Sequence, residues 1–108
     1  MTSLKNILLE ALGVPFELKT NGTGDFYIKL DGTNGGMPLL EKPTSGNFAA
    51  VTTDKQVLDP KYLYYVVLNL HNNGTFKLHQ HGTTVPHITL HDIKKEIIKF
   101  FFERYKQP

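Results

Sequence analysis

The chain has 108 residues, with 12 Lys plus Arg against 10 Asp plus Glu, five His, and neither Cys nor Trp. A single globular domain spanning residues 1–108 is expected at this length, large enough to bury roughly two-thirds of its unfolded surface without a covalent staple. The lack of cysteine excludes disulfide scaffolds, thiolate nucleophiles and cysteine-ligated zinc or iron–sulfur centres, while a formal charge of +2 and 40% hydrophobic residues argue against a nucleic-acid binder and against disorder.

At the N-terminus Ser3 is placed to cap a short amphipathic helix over residues 4–12, with Leu4, Ile7, Leu8 and Ala11 on one side and Gly13 and Pro15 ending it. This opening lacks the apolar run and small-residue cleavage site of a leader, so the cytoplasm is the expected compartment. The longest apolar run, from Tyr62 to Leu68, is too short to cross a bilayer. Next, Phe16 and Leu18 alternate with Glu17 and Lys19, and Phe26, Ile28 and Leu30 alternate with Tyr27 and Lys29. With Asn-Gly-Thr-Gly between them, the two segments predict a hairpin. Residues 31–46 hold four Gly, two Pro, two Thr, one Ser and one Asn, which predicts a long loop. Residues 48–53 read as a strand and residues 54–61, with Asp59-Pro60, as a turn.

Residues 62–70 are apolar on both sides and rich in aromatic and β-branched side chains, the pattern of a central strand. A three-residue Asn72-Asn73-Gly74 loop would return the chain into a second strand over residues 76–81, grouping Phe76 and Leu78 with Val66, Leu68 and Leu70. In that register Asn69, His71, Lys77, His79 and His81 share the opposite face. The last element is a long helix from Thr89, a hydroxyl cap for the turn reached by Asp92, to about Tyr105. Its apolar residues fill an arc of roughly 200°, more than one sheet covers. Either the helix is sandwiched within the domain, or Ile98, Phe102 and Tyr105 meet a second subunit. The expected fold is therefore α+β: an antiparallel sheet of about five strands flanked by a short N-terminal helix and a long C-terminal helix.

Charge is unevenly spread, because residues 1–54 carry four Lys and six acids whereas residues 55–108 carry eight basic residues and four acids. All five histidines, His71, His79, His81, His87 and His91, fall in that basic half. His79-Gln80-His81 would set two imidazoles on one strand face about 7 Å apart, a spacing that suits two ligands of one metal, with His87 and His91 able to swing back and Asp92 next in the series. The geometry between His81 and His87 is unconstrained by sequence, and no metal or cofactor is expected. The His-x-His pair near a glycine is similar to the first motif of cupin barrels, but Gly74 is one residue too close and the second motif is absent.

Pro86-His87-Ile88-Thr89-Leu90 resembles the His-hydrophobic-Thr-hydrophobic signature of the two-histidine phosphoesterases. The resemblance implies an imidazole acid or base and a hydroxyl donor addressing one phosphate. It covers five residues, and the second copy of the motif that the family requires is missing. Without a nucleophile elbow, a phosphate loop or a paired acid and base, the leading expectation is a small non-catalytic binding or assembly module. It would work as a homo-oligomer or with a protein partner, as an accessory protein of a bacterium or a phage. The competing expectation is a nucleotide or phosphoester site, binding or hydrolysing a small phosphorylated ligand, built on His79, His81, His87 and Thr89, with His91 as a further candidate ligand-binding residue.

Overall fold

In the computed structural model residues 14–81 and 86–106 are described, with side chains to position 103. The expected helix over residues 4–12 lies outside them. Four strands, β1 (Phe16–Thr20), β2 (Phe26–Lys29), β3 (Pro38–Leu39) and β4 (Phe48–Thr53), precede the helix α1 (Pro60–Asn72). A 3-10 turn (Phe76–His79) and the C-terminal helix α2 (Leu90–Lys106) follow. The α+β class and the long C-terminal helix agree with expectation. The described sheet has four strands rather than five, in the antiparallel order β1-β4-β2-β3.

β1 and β2 do not form a hairpin. β4 lies between them and pairs with both, Leu18 and Phe26 each standing opposite Val51. The Asn-Gly-Thr-Gly segment is thus a crossing over β4 and not a turn. It passes so close that a Cβ on Gly24 would stand 2.6 Å from the Val51 carbonyl oxygen and 3.0 Å from the Thr52 hydroxyl. Asn21 enters the crossing with φ of 53° and gives its N–H to the Phe48 carbonyl.

Residues 62–70 are helical, and so is the start of the segment expected as the paired strand. Leu63, Val66, Val67 and Leu70, the buried residues of α1, recur at the three- and four-residue spacing of one helix face. Asp59 caps the helix by accepting the Lys61 N–H at 2.9 Å, and Pro60 occupies the first turn, where its missing N–H costs nothing. At the other end the Thr75 N–H reaches the Leu70 carbonyl and the Gly74 N–H that of His71, with Gly74 at φ +84°, a complete Schellman closure. The Asn72-Asn73-Gly74 stretch therefore ends a helix instead of turning a hairpin. The 3-10 turn beyond it buries Phe76 and leaves Leu78 87% exposed, so no common histidine face extends from His71 to His81.

One face of the sheet carries the core. Phe26, Ile28, Ala49 and Val51 meet Leu63 and Val67 of α1, Ile93 and Ile97 of α2, and Phe76. The opposite face holds a smaller cluster of Tyr27, Phe48 and Ala50 with Leu39 beside it. The glycine-rich segment after β2 is closed at its base, where the Asp31 carboxylate accepts from the backbone and side-chain N–H groups of Asn47. Most of the apolar arc of α2 is covered within the chain: Ile93 and Ile97 are buried, and Ile98, Phe100 and Phe101 pack against the core.

Candidate functional site

His81 and the 86–92 segment meet side by side, and this brings the later histidines together. The backbones of His81 and His87 exchange two hydrogen bonds of 2.8 Å. The 86–88 segment is also held on its other side, by Gly32 N–H to the Pro86 carbonyl and Ile88 N–H to the Leu30 carbonyl. His87 is thus placed between the end of β2 and His81, with its ring 5.7 Å from that of His81. Gln80 ties the same corner to the glycine-rich segment through the Thr33 carbonyl at 2.9 Å.

Beneath the two rings lies the first part of α2. Thr89 caps it, accepting the Asp92 N–H at 3.2 Å and donating its hydroxyl to the Asp92 carboxylate at 2.9 Å. Asp92 and Glu96, one turn apart, face the same way. His79 stands between them, Nε2 at 2.9 Å from Glu96 Oε1 and Nδ1 at 3.7 Å from Asp92 Oδ1. Because a carboxylate only accepts, the Glu96 contact places a proton on Nε2 of His79. His81 Nε2 lies 3.4 Å from Asp92 Oδ2. Burial works against ionisation of Asp92, but the Thr89 hydroxyl, the His81 contact and the nearby His79 outweigh it and hold the carboxyl below its ordinary value.

Of the expected site residues, His79, His81, His87 and Thr89 do converge on one corner of the molecule. His91 is exposed on α2 and takes none of the corner's hydrogen bonds. His71 stands on α1 and takes no part in it. Of the two acids, Asp92 follows the histidine series in the sequence reading, and Glu96 is the member that reading missed. Its signal was the i, i+4 spacing of two acids at the start of a helix whose cap had been recognised. Among the described residues no three histidine, cysteine, aspartate or glutamate side chains are arranged to hold a metal ion. Of the expected interface set, Ile98 and Phe102 are half-buried, and the Tyr105 side chain lies outside the described residues.

A second feature is apolar. A cleft of about 300 Å³ opens between α1 and the sheet, lined by Phe26, Leu40, Pro60, Tyr64 and Tyr65 with Asp25 and Lys61. Tyr64 meets Phe26 and Tyr65 edge to face, at 5.6 and 5.4 Å between ring centres. Leu40 and Tyr65 remain 70% and 56% exposed. Beside the cleft, Asp25 accepts from Lys55 and from the Thr53 backbone, which keep its carboxyl below the ordinary value.

Fold and corner together define a small α+β domain in which a capped C-terminal helix packs under a histidine-bearing return of the chain. The chain belongs to a family of unknown function, DUF6943, whose model matches residues 17–107. No curated protein and no solved structure matches it. Among the described residues no helix is long and apolar enough to cross a membrane.

Proposed function

We propose that this domain is a small non-catalytic binding or assembly module that works through protein contacts, self-association among them. The observation that carries the reading is a division of labour across the surface. At the corner the imidazoles of His79 and His81 are engaged with the carboxylates of Asp92 and Glu96, whereas Leu40 and Tyr65 at the cleft stay exposed. Exposed apolar groups gathered at a concave site favour contact with a partner.

The competing phosphoester reading has weaker support. A phosphate addressed by His87 and Thr89 would approach the start of α2, and there the Asp92 carboxylate already takes the Thr89 hydroxyl. Glu96 adds a second negative charge one turn on. This setting repels an anion that a bare helix N-terminus would attract.

Two measurements on the untagged chain test the proposal. Sedimentation velocity is expected to detect a dimer or larger species, and a strict monomer removes the self-association part. A panel of nucleoside mono-, di- and triphosphates is expected to leave Tm unchanged. A stabilisation lost in His87→Ala would overturn the reading in favour of a phosphate site.

A further inference from the structure

The two edges of the sheet differ in a way that points to a second copy of this chain. β3 is two residues long and begins with Pro38, which has no N–H to offer, so that edge is a poor template for another strand. β1 is five residues long, and its outer side is paired by no strand or bridge among the described residues.

The orientation of the free groups follows from the β4 contacts. Pro15 accepts from the Asp54 N–H and Asn21 donates to the Phe48 carbonyl, so the odd-numbered residues turn their backbone groups toward β4. In an antiparallel ladder both groups of a residue point the same way and alternate along the strand. Phe16, Leu18 and Thr20 therefore present their N–H and C=O outward.

The side chains choose the register. Glu17 and Lys19 are exposed on the face away from the core, and neither has an ion-pair partner among the described residues. We infer that the domain dimerises by antiparallel pairing of β1 with β1 of a second copy, about a two-fold axis at Leu18. In this register Leu18 exchanges both hydrogen bonds with the partner's Leu18, and Phe16 does so with the partner's Thr20 at either end. Glu17 then stands opposite the partner's Lys19, and Lys19 opposite the partner's Glu17. These fall at the non-hydrogen-bonded positions, where side chains approach most closely. Shifting the axis to Phe16 or Thr20 pairs neither charge with its opposite. Edge charges ordinarily keep strands apart, but a Glu-x-Lys pattern is self-complementary in this one register.

The inference rests on the self-association part of the proposal above, and its test separates the two. Sedimentation equilibrium on E17K and on K19E is expected to show a dimer Kd raised about 10- to 100-fold over wild type, since each variant sets like charges opposite in both pairs. An equimolar mixture of the two is expected to form a heterodimer of wild-type strength, and the double swap E17K/K19E to recover the homodimer. Far-ultraviolet circular dichroism of each variant should match wild type, because both positions are exposed. A wild-type dimer indifferent to the single charge reversals overturns the β1 interface and moves self-association elsewhere, for example to Ile98 and Phe102. A wild-type monomer overturns both this interface and the self-association reading.

Discussion

Gly36→Ala should be among the most damaging single-methyl additions to this domain, because two independent costs meet there. Gly36 has φ of +96°, and a Cβ built on it would lie 2.5 to 2.6 Å from Phe76, touching the ring and the Phe76 Cβ alike. Phe76 is fully buried beneath α1 and α2, so it cannot swing away. The first cost can be isolated at Gly74, where φ is +84° and nothing lies within 4 Å of the added carbon. Gly74→Ala should therefore lose only the conformational term, about 1–2 kcal/mol. The second can be isolated at Gly24, whose φ is not positive and whose neighbours are the backbone of Val51 and the Thr52 hydroxyl. Overpacking of that kind costs about 1–3 kcal/mol. Gly36→Ala combines both, for a loss of about 2–5 kcal/mol. Urea unfolding followed by circular dichroism reads all three variants, with unchanged m-values certifying that the native state is the one perturbed. A Gly36→Ala variant no less stable than Gly74→Ala would show that the approach of the glycine-rich segment to Phe76 is not rigid, and the reasoning would fail.

Other expectations are simpler. Asp92 has its carboxyl held below the ordinary value, so its stabilising contribution is complete above about pH 4 and is lost as pH falls through the lowered folded value. Asp92→Asn should be less stable than wild type near neutrality and should show a flatter loss of stability under acid, measured by urea midpoints from pH 6 down to about pH 2. Thr89→Ala removes the cap of α2 and should cost about 1 kcal/mol, as should Asp59→Ala at the start of α1. Val67→Ala, at a fully buried position of α1, should cost more than Tyr65→Ala, whose ring is half in solvent. Equal losses at the two positions in thermal melts would count against the helical register of this segment.

The end of the chain was legible in the sequence because one local signal sufficed there. Thr89 and Asp92 at three-residue spacing name a helix start, and in the structure the Thr89 hydroxyl caps the Asp92 N–H and donates to the Asp92 carboxylate. The strand at residues 48–53 was equally plain. Misreading residues 62–70 was a matter of weighing: Tyr62, Tyr64, Tyr65, Val66 and Val67 favour a strand by composition, but Leu63, Val66, Val67 and Leu70 carry the helical period. Asp59-Pro60 and Gly74 bracket the same stretch with helix punctuation, and packing of the periodic face against the sheet decides the outcome. The hairpin between β1 and β2 could not be rejected from the sequence, since only a distant strand, β4, separates them. For the site, the convergence of His79, His81 and His87 rests on long-range backbone bonds from Leu30 and Gly32, which no local pattern encodes.

The insertion of β4 between β1 and β2 also bears on how the domain is made. A hairpin could close as soon as its second strand left the ribosome, at the small entropic cost of a short loop. Here β1 has no described strand partner until residues 48–53 exist, and β2 before then finds only the two residues of β3. The first half of the chain must therefore wait, with Phe16 and Leu18 unpaired and β2 held by no more than β3, for a central strand synthesised later. Assembly of the four-stranded sheet should be a late event, and fragments ending before residue 48 should retain no more of it than the two-residue pairing of β2 with β3.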